Sequence, residues 1–247
     1  MRKIGFYLVL ISIWAAASSA GIWESYEFPS PWAVLDTLWN GLTDGSFLIG
    51  MSVSLKRIAI GYGLSVILGT LLGMVIGSVK LLDETLGSFI QGLQALPSIC
   101  WLPLAVVWFG LNEGAILFVV IMGAVLAVAI ATDAGIKNVS PIYIRAARNM
   151  GVHGVNLYRR VILPAAFPSI VTGMKLGWSF AWRALMAGEL LFVGLGLGHL
   201  LMVGRDLNDM SQVVAVMLII VAIGMLADRL LFARLETRIR ARWGLAV

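Results

Sequence analysis

The chain has 247 residues, of which 60% are hydrophobic and 13% charged, and its mean hydropathy is +0.94. A water-soluble globular domain carries about 25% charged and about 45–50% apolar residues, so that class is excluded and the bilayer is the solvent. The single Cys100 excludes a disulfide framework and a Cys-rich metal cluster. Nine Trp and 27 Gly suit interfacial anchoring and close helix contacts in a membrane.

A helix crossing about 30 Å of hydrocarbon needs roughly 20 apolar residues. Segments 4–23, 58–79, 86–111, 115–132 and 210–227 contain no charge, and a further apolar segment from 165 to about 202 is interrupted by Lys175, Arg183 and Glu189. The pattern predicts an all-α, polytopic membrane protein with about six transmembrane helices. In the first segment, Arg2 and Lys3 precede an apolar stretch that ends in Ala17-Ser18-Ser19-Ala20, which suits a cleaved secretory signal or an uncleaved anchor. Twenty apolar residues exceed the usual 7–15 of a signal core, which favours an N-terminal transmembrane anchor over 1–24.

The outer segment 25–57 contains Ser30-Pro31, an N-cap followed by proline at the first helical position. Trp32, Leu35, Trp39 and Leu42 then recur at three- or four-residue spacing, which predicts a helix lying flat on the outer face. Lys56 and Arg57 fall at the outer end of the second span, within reach of headgroups by snorkelling. The core extends over 58–235 and includes a cytoplasmic loop at 133–164, and a basic tail occupies 236–247. With the N-terminus inside, 13 of the 18 Lys and Arg fall in cytoplasmic segments: Arg2, Lys3, Lys80, Lys137, Arg145, Arg148, Arg159, Arg160, Arg229, Arg234, Arg238, Arg240 and Arg242. Both termini are therefore expected in the cytoplasm. The formal charge of +5 is explained by this topology, with no nucleic-acid partner required.

Loop 133–164 is punctuated as a short helix pair: Ser140-Pro141 opens the first helix, Gly151 follows its end, Gly154 allows the turn and Leu163-Pro164 closes the second. Ala146, Ala147 and Met150 make a small-residue face, with Arg145 and Arg148 on an adjoining one. Such a knob suits docking into a groove on a cytoplasmic partner; a solvated basic loop touching lipid phosphates is the other reading that the residues allow.

Arg145-Ala146-Ala147, three residues, Gly151, nine residues, Val161, one residue and Leu163-Pro164 resembles the E-A-A loop of ABC importer permeases in every spacing. Arg145 stands in place of the pattern's Glu and Val161 in place of its Ile. The resemblance runs from about Ser54 to Arg242 and narrows to the nitrate, sulfonate, taurine and bicarbonate branch. It includes Ser54-Leu55-Lys56-Arg57 with Gly61-Tyr62, the stretch from Pro97 to Gly110, and Trp182 to Leu190. It implies a MetI-like permease fold in a bacterial inner membrane, working as a homodimer with two ATPase subunits and a periplasmic binding protein. Arg145, Ala146, Ala147, Arg148, Gly151, Val152, Leu163 and Pro164 would form the ATPase-coupling loop. The chain contains no Gly-x-x-x-x-Gly-Lys-Ser/Thr phosphate loop, so ATP and Mg would sit on the partner and this chain would bind no cofactor.

An ionisable group at membrane depth marks a pathway by default, which singles out Arg183 and Glu189. Arg183 is suited to guiding a sulfonate, nitrate or carboxylate, or to pairing with a neighbouring carboxylate. Glu189 would repel an anion, which favours a structural or gating role. Gln94, Ser98 and Trp101 read as one polar-aromatic stripe that lines a pore, with helix packing as the plainer reading; Trp182 joins them as a candidate from the resembling stretch. His153 and His199 lie on opposite sides of the membrane and cannot share a metal or a catalytic triad, so no enzyme chemistry is expected. Import of a pyrimidine such as a thiamine precursor, and a channel independent of an ATPase, are the alternatives to an anion importer.

Overall fold

The computed structural model describes residues 2–24, 26–191 and 194–242, and their regular structure is helical throughout. In chain order the helices are α1 (Arg2–Ser19), α2 (Pro31–Thr43), α3 (Ser46–Ser78), α4 (Lys80–Gln94), α5 (Ser98–Phe109), α6 (Glu113–Lys137), α7 (Pro141–Asn149), α8 (Gly154–Leu191), α9 (Leu197–Asp206) and α10 (Met210–Ile239). Helices α3, α6, α8 and α10 are long and apolar enough to cross a membrane. The apolar part of α1, Ile4–Ser19, is shorter than the segment anticipated; the chain leaves the helix at Gly21, with φ +68°. The last residues of the basic tail, 243–247, lie outside the described residues.

Two expected single spans are divided. Segment 86–111 is a pair of helices, α4 and α5, bent by 104°. Pro97 has no N–H and its ring opposes the carbonyl four residues back, so the helix stops at Gln94, and Cys100 N–H closes a new turn onto the Pro97 carbonyl at 2.9 Å. The segment from 165 to 202 is likewise two helices, α8 and then α9. Leu163-Pro164 does not close a short helix either. The chain continues from Gly154 through both residues into α8, because Tyr158–Ile162 form a π-turn in which Leu163 N–H reaches the Tyr158 carbonyl. Widening the turn there accommodates the proline's missing donor.

The chain divides into two compact units whose boundaries fall inside α3, α8 and α10. The larger comprises 57–188 with 224–247 and is built around α6, whose Val119, Val120, Ala124, Val128 and Ala129 have no exposed surface. Small residues recur every fourth position on α3, at Gly61, Ser65, Gly69, Gly73 and Gly77. A Cβ at Gly69 would stand 2.7 Å from the Val125 carbonyl oxygen, and one at Gly177 of α8 2.8 Å from Val128 Cγ2. Backbones approach to this distance because no side chain intervenes, which is how apolar helices gain packing in lipid. Arg57 does not snorkel: it is 6% exposed and its Nη2 lies 3.1 Å from the Glu113 carboxylate.

The smaller unit comprises 1–56 with 189–223. Here Ser30 caps α2, its Oγ accepting Ala33 N–H at 3.2 Å. Val34 and Phe47 are buried while Trp32 and Trp39 stand exposed. Asp209 accepts Gln212 N–H at 3.0 Å and caps the start of α10.

Candidate functional site

Between α6 and α8, loop 133–164 contains one compact helix, α7. Pro141 starts α7, and the helix ends in a left-handed turn at Gly151, φ +79°. Gly151 N–H donates to the Arg148 carbonyl at 3.0 Å and Val152 N–H to the Ala147 carbonyl at 2.9 Å, the paired bonds of a Schellman cap. Ala147 is buried, so it belongs to the seat of the helix and not to its free face. Ile144 and Tyr158 pack with Ile136, Val139 and Ala166 beneath it, and Tyr158 Oη donates to the Met74 carbonyl at 3.2 Å. The free face carries Ile142, Tyr143, Arg145, Ala146, Arg148 and Met150, with Met150 82% exposed. An apolar surface flanked by two guanidinium groups beyond the end of a span is suited to a protein groove. Leu163 and Pro164 are half-buried in α8 and anchor the loop's far end.

A second feature is a cavity of about 290 Å³ walled by α4, α5, α6 and α8. Gln94, Ser98, Trp101 and Arg183 all line it, although the break at Pro97 removes the single helical stripe on which three of them were expected. Gly123 lets α8 approach α6 at this point: a Cβ there would lie 2.9 Å from Ala184 Cβ. Trp101 makes an edge contact with Phe118 at 6.4 Å. Arg183 is exposed within this chain, its Nε donates to the Ser179 carbonyl at 3.0 Å, and its guanidinium lies 5.0 Å from the Phe180 ring centroid. The backbone bond and the ring fix the plane of the guanidinium. Trp182 does not line the cavity. It is buried, stacked on Trp178 at 6.0 Å and 8°, in an aromatic group completed by Tyr62 and Phe232.

Glu189 is 1% exposed. Ser54 Oγ lies 2.7 Å and 2.9 Å from its two carboxylate oxygens and accepts Leu197 N–H at 2.9 Å. Gly198 N–H donates to Glu189 Oε2 at 3.0 Å. The carboxylate thus caps the N-terminus of α9, where backbone donors and the helix dipole favour negative charge. A Cβ at Gly196 or Gly198 would collide with Glu189, which explains glycine at both positions. Nothing in the sequence alone pairs Ser54 with Glu189, 135 residues apart; the available signal was that both sit in stretches that carry the family resemblance.

The sequence profile of the binding-protein-dependent transport system inner membrane component family matches residues 65–241. The chain belongs to that family. An assigned aliphatic sulfonates transport permease of Escherichia coli is 31% identical over 234 residues, covering 95% of this chain and 88% of that protein. A nitrate import permease of a Synechocystis species is 29% identical over 230 residues, covering 90% and 82%. Among solved structures, an inward-facing methionine ABC transporter aligns with TM-score 0.63 at 17% identity, over 78% of this chain and 97% of that one, which shows the MetI-like permease fold. The match spans α7 and every cavity-lining residue of this permease, so the free-faced loop and the cavity both belong to the shared transport module. As an ABC permease it is a transport component.

Proposed function

We propose that this permease pairs with a second copy of itself to form the translocation pathway of an importer for a small anion, a sulfonate such as taurine first and nitrate or bicarbonate next. A periplasmic binding protein delivers the solute, and α7 docks into a separate ATPase subunit that holds ATP and Mg. The observation that carries the anion reading is Arg183, a fixed cation in the wall of a cavity otherwise lined by neutral groups. Among the described residues it forms no ion pair, which argues against a structural pair within the chain. The solutes named for the sulfonate and nitrate relatives are both oxyanions, which a guanidinium binds through planar paired donors. A heteroaromatic solute is disfavoured because Trp178 and Trp182 spend their faces on each other and on their aromatic neighbours, leaving Trp101 as the tryptophan of the cavity.

The test is uptake of labelled taurine, nitrate, bicarbonate and a thiamine-type pyrimidine by cells with and without the chain, at high and depleted ATP. Loss of one ATP-dependent anion flux supports the reading; loss of the pyrimidine flux alone overturns it. For the docking loop, Gly151→Val forces a branched residue into left-handed backbone, at a cost of roughly 1–2 kcal/mol, and frays the cap of α7. Co-purified ATPase is expected to fall while the permease still reaches the membrane.

With the N-terminus inside, α2 lies on the outer surface and both termini are cytoplasmic. In a Cys100→Ser background, Asp36→Cys is expected to react with an impermeant maleimide in intact spheroplasts, and Thr237→Cys only after lysis. The reverse pattern would invert the topology.

A further inference from the structure

Lys137 is the last residue of α6, three positions before the Ser140 that opens α7. Its ammonium binds Asp133 Oδ2 on its own helix at 2.7 Å and the Asp83 carboxylate on α4. Asp83 opens a π-turn that ends at Gly87, and from there α4 runs directly to Gln94 in the cavity wall. One side chain therefore ties the stem of the cytoplasmic loop to the helix that walls the cavity. The contact is partly hydrated, with Lys137 37% and Asp83 35% exposed, and solvent screening keeps such a pair weak and reversible.

We propose that Lys137 is a positioning residue for transport: its bond to Asp83 conveys displacement of the docked loop to α4, and so to the bend at Pro97 and to Gln94, Ser98 and Trp101. This rests on the reading of α7 as the ATPase-docking helix. The pair acts as a tie rod between two elements that share no covalent connection shorter than the whole of α5 and α6. A π-turn next to the tie, Asp83–Gly87, marks a local departure from regular helix of the kind found frequently at functional sites.

The native Cys100 is exposed on α5, two residues beyond Ser98, and reports on the bend without any engineered probe. In the complete transporter, reconstituted with its ATPase, the rate of maleimide labelling at Cys100 is measured with and without a non-hydrolysable ATP analogue. Wild type is expected to change rate by about threefold or more, within the range by which single residues modulate coupling between sites. Lys137→Met should abolish that change while retaining the bound ATPase, Asp83→Asn should do the same, and Lys137→Arg should preserve it. A wild-type nucleotide response in Lys137→Met, or no response in wild type with ATPase bound, overturns the tie. Unchanged ATPase binding in Gly151→Val overturns the docking reading instead, so the two failures are distinct.

Discussion

Glu189→Ala is expected to be the most destabilising single substitution in the chain. It removes the acceptor of the Ser54 hydroxyl and of Gly198 N–H in a site that water does not reach. Each buried donor left unsatisfied costs about 1–3 kcal/mol, so for two donors the loss amounts to about 2–6 kcal/mol and falls on the N-terminus of α9. Glu189→Gln keeps the shape and one carbonyl acceptor, and is expected to lose about half as much, since a charge-assisted bond is roughly twice as strong as a neutral one. Ser54→Ala leaves Leu197 N–H without its oxygen and should fall between wild type and Glu189→Ala. The check is thermal unfolding of the purified protein in detergent. If Glu189→Ala melts with wild-type stability but does not transport, the carboxylate works as a gate and not as a cap.

The same carboxylate shows where sequence reading stops. A charge within an apolar segment was legible there. Its partner was not, because helix periodicity locates neighbours three or four residues away and contains no term for a serine on a different helix. The cavity divides in the same manner. Gln94, Ser98, Trp101 and Arg183 were each identified by chemical type, and all four line one cavity. The stripe that was to unite three of them does not exist, since Pro97 breaks the helix and the 104° bend gathers them instead. Proline 97 signalled a break, but a break carries no direction in sequence.

Pro164 led to the opposite result. A proline after an apolar residue reads as a helix stop, yet α8 passes through it because the π-turn at Tyr158–Ile162 supplies the extra residue that the ring demands. Tyr158 and Ile162 of that turn, and Leu163 after it, pack against Ile136, Val139 and Ile170. The cap at Gly151 was fully legible, because a Schellman motif is local: the glycine, the preceding helix and the two hydrogen bonds lie within six residues. Local chemistry was readable, then, while contacts and bends set by distant helices were not.

Arg183→Ala is expected to reduce anion import by about 10- to 100-fold, the loss of charge-assisted hydrogen bonds worth about 1.5–3 kcal/mol. Assembly should survive, because the side chain is exposed within this chain and, among the described residues, its contacts are a carbonyl of its own helix and the face of Phe180. Arg183→Lys tests what the guanidinium adds beyond charge. A lysine supplies a point charge without the planar fork, so it should restore part of the flux and weaken discrimination between a trigonal anion such as nitrate and a tetrahedral sulfonate. The measurement is initial uptake rate in proteoliposomes at fixed ATP, with ATPase activity followed in parallel. Parallel loss of ATPase binding and import would assign Arg183 to assembly. Import that persists undiminished in Arg183→Ala would remove the anion assignment altogether, since the cavity would then select its solute without the cation in its wall.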